Sequence, residues 1–221
     1  MISRRNSIQW YCIVLLLSIA WFGNGEPYWD KLIVLAEQRY GNNAKQTIVD
    51  WRNLLENSDA NKETEKLILA NDFFNQRVRF GDDAVIWGKK DYWATPLETM
   101  GTLQGDCEDF SIAKYISLIK LGIPIEKLRL VYVKARLVSG RVQAHMVLAY
   151  YAEPNAEPLI LDNLSTQIMP ASRRPDLTPV FSFNSEGLWV GNSTESKSKQ
   201  PETRLSRWRD VLTRMQLEGI Q

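Results

Sequence analysis

From residue 26 onward the chain contains a single cysteine, Cys107, and this restricts how the protein can fold. One cysteine cannot form an intramolecular disulfide, so a hydrophobic core has to hold the fold together. Hydrophobic residues make up 44% of the 221 residues, and residues 26–221 are enough for one domain with a substantial core. We therefore predict a single domain over residues 26–221, in which Cys107 is free for another role.

The first 25 residues have the pattern of a cleaved secretory signal. Arg4 and Arg5 precede an apolar run from Ile8 to Phe22, and small residues follow at 23–25. The run is shorter than the roughly 20 residues that cross a bilayer, so a membrane anchor is the weaker interpretation. The sequence predicts that residues 1–25, with Cys12, are removed, and that no stable membrane insertion remains.

The charge balance excludes one class of partner. The formal net charge is +1 for the whole chain and becomes −1 without residues 1–25, which carry Arg4 and Arg5 and no acidic residue. A near-neutral domain has no basic surface for nucleic acid or anionic lipid. We predict no nucleic-acid partner.

Hydrophobic periodicity predicts a helical first half. Apolar residues recur at helical spacing around Leu32–Tyr40, Ile48–Leu55 and Leu67–Phe74. Between Gly81 and Thr102, aromatic residues stand among Asp, Gly and Pro, a composition that favours a structured loop. A C-terminal helix with one apolar face is predicted over Leu205–Leu217, packed against the core.

The middle of the chain predicts a helix followed by strands. Asp106 is a candidate N-cap, Cys107 falls in the first turn, and Gly122 with Pro124 ends the helix. Strands are then predicted at Leu128–Ala135 and Gln143–Tyr151, as antiparallel neighbours, and at Leu159–Leu161, which has Asp162 at its end. The fold class is therefore α+β.

Cys107, His145 and Asp162 form a candidate nucleophile, base and orienting carboxylate. His145 is the only histidine in the chain. A helix start presents partial positive charge, which lowers the pKa of a thiol and can stabilise an oxyanion. Taken singly, a lone cysteine or histidine is more often a buried core residue, and an aspartate after a strand is more often a turn former. Their combination favours thiol catalysis.

The carboxylates beside Cys107 oppose thiolate formation, because Asp106, Glu108 and Asp109 would raise the pKa of the thiol. Three acidic residues so close together suit a hard cation with oxygen ligands, such as calcium. They equally suit the ordinary role of acids that complement a helix dipole. Composition alone does not choose between these two roles.

The segments around these residues resemble those of the bacterial transglutaminase-like cysteine proteinases. Within that family, they are similar to the periplasmic proteases that process large surface adhesins. The similar segments cover roughly Trp29 to Trp189. They are Asp91–Pro96, Gly105–Phe110 with Ala113–Tyr115, Ala144–Leu148, Leu161–Leu164, Ser182–Asn184 and Gly187–Trp189.

The resemblance implies a papain-like, transglutaminase-like core, with a nucleophile helix packed on an antiparallel β-sheet. It implies that Cys107 is the nucleophile, His145 the general base and Asp162 the orienting residue. It also implies that Asp106, Glu108 and Asp109 bind a calcium ion needed for activity.

The resemblance further implies a substrate, a regulator and a location. Proteases of this kind cut the N-terminal region of a large repeat-containing adhesin between paired alanines, which releases the adhesin and disperses biofilm. An inner-membrane cyclic di-GMP receptor of the LapD type inhibits them in the periplasm. Two alternatives stay open: a transglutaminase that transfers the same acyl group to an amine, and a non-catalytic binding module.

Overall fold

The computed structural model describes residues 27–58, 60–191, 196–197, 201 and 205–220. The predicted signal peptide, with Cys12, lies outside these residues. Within the described ranges, no helix combines the length and the apolar character needed to cross a membrane.

The helical first half is confirmed. All three predicted N-terminal helices form, the helix that begins at Cys107 forms, and so does the C-terminal helix. The described helices are α1 (Pro27–Tyr40), α2 (Asn42–Asn57), α3 (Glu63–Arg77), α4 (Asp83–Ile86), α5 (Pro96–Thr102), α6 (Cys107–Lys120) and α7 (Ser206–Glu218).

The segment from Gly81 to Thr102 contains the short helices α4 and α5, so the prediction of a loop was wrong in part. Helix α5 begins after Thr95, whose side chain accepts a hydrogen bond from the Glu98 backbone N–H at 3.2 Å. The Glu98 carboxylate in turn accepts from the Thr95 N–H at 2.8 Å. This capping box and Pro96 at the first helical position are local signals of a helix start. The loop prediction relied on the aromatic composition of the segment and did not take them into account.

The strands form a six-stranded antiparallel sheet and a small parallel pair. The predicted strands at 128–135, 143–151 and 159–161 are confirmed within a residue or two at each end. The described strands are β1 (Arg79–Phe80), β2 (Gln104–Gly105), β3 (Leu128–Arg136), β4 (Val142–Tyr150), β5 (Leu159–Leu161), β6 (Met169–Pro170), β7 (Leu177–Phe183) and β8 (Leu188–Val190). The six-stranded sheet has the order β6-β5-β4-β3-β7-β8, and β1 pairs with β2.

The main core lies between the helices and one face of the sheet. Helix α6 packs on β3 and β4, where Leu130 and Leu148 are fully buried. Helix α7 closes this core with Trp208, which is also fully buried and lies edge-on to Tyr115 of α6. This packing fixes the start of α6 relative to β4, and these two elements carry the predicted nucleophile and base.

Glu218 ends α7 as a buried carboxylate, 2% exposed. Burial raises its pKa to about 7; the charge of Glu98 adds to this effect, and a hydrogen bond from Thr95 and the charge of Arg39 oppose it. Between the ordinary value of 4.5 and this value, the folded state holds the proton more tightly than the unfolded state. The free energy of unfolding therefore falls as pH rises through this window.

We expect Glu218→Gln to remove that pH dependence. Between pH 4.5 and pH 7 the wild type should lose stability that the variant keeps. The melting temperature of the variant should therefore rise by several degrees relative to that of the wild type over this pH range. One pKa unit corresponds to about 1.4 kcal/mol, and 1 kcal/mol to about 2–4 °C in a domain of this size. Thermal unfolding followed by circular dichroism measures the difference, with exposed Glu37→Gln as the control. An equal difference at both pH values would contradict the assignment.

Candidate active site

The start of α6 is built by side chains that cap the backbone. Asp106 is the N-cap, as predicted, and its carboxylate accepts a hydrogen bond from the Glu108 N–H at 3.2 Å. Asp109 completes the capping box by accepting from the Asp106 N–H at 3.2 Å, and it also accepts from the Ala94 N–H at 2.7 Å. Cys107 is thereby held at the first helical position, where backbone N–H groups lack intrahelical partners.

Gly105 allows Asp109 to come close to the backbone. A Cβ at position 105 would lie 2.7 Å from the Asp109 Cβ and 2.8 Å from its Oδ2. Asp109 is fully buried, and its hydrogen bonds to two backbone N–H groups prevent it from moving aside. Only glycine fits here without displacing the cap.

We expect Gly105→Ala to lower the free energy of unfolding by about 1–3 kcal/mol, the usual cost of overpacking. Urea unfolding at neutral pH measures the change. The neighbouring Gln104→Ala, which adds no atom near Asp109, serves as the control. Equal stability of the two variants would show that the cap tolerates the added methyl group.

His145 and Asp162 are in direct contact. His145 lies on β4, and Asp162 directly follows β5, the neighbouring antiparallel strand. The His145 Nε2 is 2.7 Å from Asp162 Oδ1, and both side chains are almost fully buried. This leaves the His145 Nδ1 as the ring nitrogen that can exchange a proton with a thiol.

Asp162 is held from several directions by residues to which the sequence analysis assigned no role. Its Oδ2 accepts a hydrogen bond from Arg174 Nη2 at 2.8 Å, and its Oδ1 accepts from the Leu164 N–H at 3.0 Å. Its backbone carbonyl accepts from Asn75 Nδ2 at 2.9 Å and from Lys114 Nζ at 3.1 Å. The Leu164 contact is a local turn of the kind that an aspartate after a strand commonly forms. Asn75, Lys114 and Arg174 are joined to Asp162 by the tertiary fold and follow no sequence motif.

The hydrogen bonds around Asp162 keep it ionised. Burial alone would raise its pKa, but hydrogen bonds from His145, Leu164 and Arg174 hold the pKa at about 2. A permanently charged carboxylate at Nε2 fixes the tautomer of the imidazole.

The Cys107 thiol is turned toward Glu108. Its Sγ lies 2.7 Å from Glu108 Oε2, and in the described part of the chain no hydrogen bond joins it to His145. Burial, followed by the charge of Glu108, raises the pKa of the Cys107 thiol, while the backbone of Met146 has a weaker opposite effect. This direction agrees with the expectation that the carboxylates beside Cys107 oppose thiolate formation.

The acidic cluster at the helix start contains a fourth carboxylate, Asp83, which the sequence analysis did not include. Oxygens of Asp83, Asp106 and Asp109 lie within 4.8 Å of one another, and ligand atoms of Asp106, Cys107 and Glu108 do the same. Asp83 Oδ2 accepts from the Tyr92 N–H, whereas its Oδ1 is buried with no hydrogen-bond partner among the described residues. Asp83 begins α4, in the segment predicted as a loop.

Crowding makes ionisation of these carboxylates unfavourable. Burial and the neighbouring charges of Glu108 and Asp109 raise the pKa of Asp106 to about 9. Burial and the charge of Asp83 raise the pKa of Asp109 to about 8, although hydrogen bonds from Ala94 and Asp106 oppose the change. A hard cation with oxygen ligands would compensate this negative charge and satisfy the orphaned Asp83 oxygen. The residues present therefore fit a calcium ion.

The arrangement can perform acyl transfer through a thiol. It provides a cysteine at a helix start, an imidazole in a fixed tautomer, and an ionised carboxylate that orients the imidazole. Because the thiol bonds to Glu108 in this arrangement, it has to turn away from Glu108 to meet the base.

Comparison with known proteins identifies the chain's relatives. The family model for bacterial transglutaminase-like cysteine proteinases matches residues 40–180. The solved structure of Legionella pneumophila LapG is similar with a TM-score of 0.71 and 39% sequence identity, covering 85% of this chain and 97% of that one.

Two further structures of Legionella pneumophila LapG, one EGTA-treated and one calcium-bound, each have a TM-score of 0.73 and 38% identity. Both cover 85% of this chain, with 97% of the EGTA-treated chain and 98% of the calcium-bound chain matched. The comparison with curated proteins gave no significant match. The likeness to LapG confirms the predicted α+β, transglutaminase-like fold.

Proposed function

The chain belongs to the family of bacterial transglutaminase-like cysteine proteinases, and we propose that it is a calcium-dependent endopeptidase that cuts the N-terminal region of a large surface adhesin. The observation that carries the catalytic part is the buried hydrogen bond of 2.7 Å between His145 Nε2 and Asp162 Oδ1. It supports the proposal that the other ring nitrogen acts as the base toward Cys107, since β4, which carries His145, packs against α6, which begins at Cys107.

In the proposed mechanism, His145 Nδ1 takes the proton of the Cys107 thiol, and the thiolate attacks the carbonyl carbon of the scissile peptide. Backbone N–H groups at the start of α6 donate to the oxyanion that forms. The C–N bond then breaks, and His145 returns the proton to the leaving amine. Water, deprotonated by His145, hydrolyses the Cys107 thioester and restores the thiol.

Asp83, Asp106, Glu108 and Asp109 are proposed to hold the calcium ion. The support is the crowding of their oxygens and the buried, unpartnered Asp83 Oδ1. Legionella pneumophila LapG, a relative of this chain, has been solved in a calcium-bound form. When bound, the ion supplies positive charge beside the thiol and offsets the carboxylates that oppose thiolate formation.

The substrate, the regulator and the location follow from the resemblance and remain part of the proposal. The substrate is a large repeat-containing adhesin, cut at a paired-alanine site, and its release promotes biofilm dispersal. The protease acts in the periplasm after removal of residues 1–25. An inner-membrane cyclic di-GMP receptor of the LapD type is its inhibitor.

The test is to mix the purified protein with the N-terminal segment of the largest surface protein encoded nearby, with calcium or with EGTA. We expect one discrete cut that requires calcium, and mass spectrometry of the fragments should place it between two alanines. The matched control is the same segment with the alanine pair replaced by two prolines.

A labelled primary amine in the same reaction separates hydrolysis from acyl transfer. Hydrolysis adds water to the new C-terminus, whereas transfer joins the amine to the substrate. Amine incorporation without peptide cleavage would overturn the protease assignment. Cleavage that proceeds equally in excess EGTA would remove calcium from the proposal.

A further inference from the structure

A cavity of about 540 Å³ lies on the face of the sheet opposite the one that packs against α6. Along β3 the side chains alternate, so Leu130 enters the main core while Val131 belongs to a second apolar cluster. The loops around Pro158 and Ala171 border the cavity. Its floor is formed by apolar side chains of three strands, namely Val131, Val133, Val147, Ala149 and Ile160. This size and this lining are typical of a pocket for a small organic molecule.

A buried cation stands at one end of the cavity. Arg129 lines the cavity and is only 9% exposed. Its guanidinium carbon lies 4.0 Å from the centre of the Trp189 ring and 4.7 Å from that of the Tyr151 ring. In the described ranges Arg129 has a hydrogen bond with the Tyr151 side chain, no carboxylate acts on it, and its Nε has no hydrogen-bond partner. Burying a charge without a counter-charge costs free energy, so an anion bound at this position would stabilise Arg129.

Arg174 also lines the cavity, but two carboxylates already neutralise it. It bonds to Asp162 and Asp176 through Nη2, both at 2.8 Å. Its Nη1 is buried without a hydrogen-bond partner among the residues described. Arg174 therefore offers an additional donor, whereas Arg129 supplies the uncompensated positive charge.

The charged end of the cavity is separate from the catalytic pair. His145 pairs with Val133 across the two strands, and Arg129 lies four residues further along β3. At about 3.3 Å per residue, this is roughly 13 Å from the strand position opposite His145. A ligand bound to Arg129 would extend its body along the apolar floor toward Val133, the strand position opposite His145.

We propose that this cavity binds a small organic anion consisting of a carboxylate and an aliphatic body. The carboxylate pairs with Arg129, whose planar guanidinium lies close to two aromatic rings and has its Nε donor without a partner. The aliphatic body lies on the valine and isoleucine floor. Burial lowers the pKa of Arg129, which agrees with a cation that lacks a counter-charge.

Isothermal titration of the purified protein with octanoate tests the proposal. We expect saturable binding that is about ten-fold or more tighter than that of 1-octanol, which lacks the charge, or of acetate, which lacks the body. Arg129→Gln should weaken octanoate binding to the level of 1-octanol. The matched control is Arg77→Gln, another arginine over an aromatic ring, 4.2 Å from the centre of Phe73 and outside the cavity.

Two further variants keep the test decisive if Arg129→Gln does not fold. Arg129→Lys keeps the charge but not the planar fork, so it should bind octanoate more tightly than Arg129→Gln does and less tightly than the wild type. Ala171→Phe should block the cavity while Arg129 is unchanged. Equal affinity for octanoate and 1-octanol, or no saturable octanoate binding in the millimolar range, would overturn the proposal. Arg174 is left unchanged throughout because its contact with Asp162 would confound the result.

Discussion

Replacement of Cys107 by alanine is expected to abolish peptide cleavage and to leave the fold intact. The loss in kcat/KM should be about 10⁴-fold or more, because no other group in the site can form the acyl intermediate. The change removes one sulfur atom whose hydrogen-bond partner is the adjacent Glu108, so the packing of α6 on the sheet is hardly affected. Cleavage of a labelled adhesin segment, followed by gel and mass spectrometry, measures the loss.

The matched control for this substitution is Ser111→Ala, one turn further along α6. Ser111 is buried and donates to the Met146 carbonyl at 3.1 Å, so the control disturbs the same helix–strand contact without touching the thiol. We expect it to keep activity within several-fold of the wild type. Cleavage by Cys107→Ala at a comparable rate would show that the nucleophile lies elsewhere.

The elements that carry the proposed nucleophile and base could be predicted because their signals are local. Asp106 and Gly122 mark the two ends of α6 through capping preferences, and the alternation in β4 and the apolar run before Asp162 mark two neighbouring strands. The contact between His145 and Asp162 then follows from the pairing of β4 with β5. The resemblance assigned roles to residues that these patterns had already placed.

The surroundings of the triad could not be predicted, because they depend on contacts between distant segments. Asn75 and Lys114 reach Asp162 from positions 87 and 48 residues away in sequence. Asp83 joins the acidic cluster only because the chain around α4 folds back against the start of α6, where the Asp109 carboxylate holds the Ala94 N–H. A lone polar residue in a loop has no periodicity that would reveal such a contact.

The short strands β6 and β8 were missed for a related reason. A strand of two or three residues, such as Met169–Pro170 or Leu188–Val190, is too short to show alternation, and only its neighbour in the sheet defines it. In β7, the register with β3 shifts between Tyr132 and Val133, which leaves Val180 without a register partner on β3, and Pro179 stands next to this irregularity. Proline within a run argues against a central strand when the sequence alone is considered.

Removal of calcium is expected to have an effect almost as large as loss of the thiol. Without the cation, the carboxylates beside Cys107 disfavour the thiolate and Glu108 holds the thiol proton, so EGTA should abolish cleavage and added calcium should restore it. Binding should also stabilise the fold. At a calcium concentration 100 times the dissociation constant, the gain is about 2.7 kcal/mol, which a thermal melt detects independently of activity.

The variant Asp83→Asn tests whether the fourth carboxylate takes part in this effect. Asp83 has a buried oxygen without a hydrogen-bond partner in the described chain, so its replacement by a neutral amide should weaken calcium binding about ten-fold or more and reduce the calcium-dependent rise in melting temperature. The matched control is the adjacent Asp82→Asn, because Asp82 is exposed, makes no side-chain cap and lies outside the cluster. If the two variants bind calcium equally well in isothermal titration, Asp83 is not a ligand. Its buried, unpaired oxygen then destabilises the folded state, and calcium binding does not relieve this.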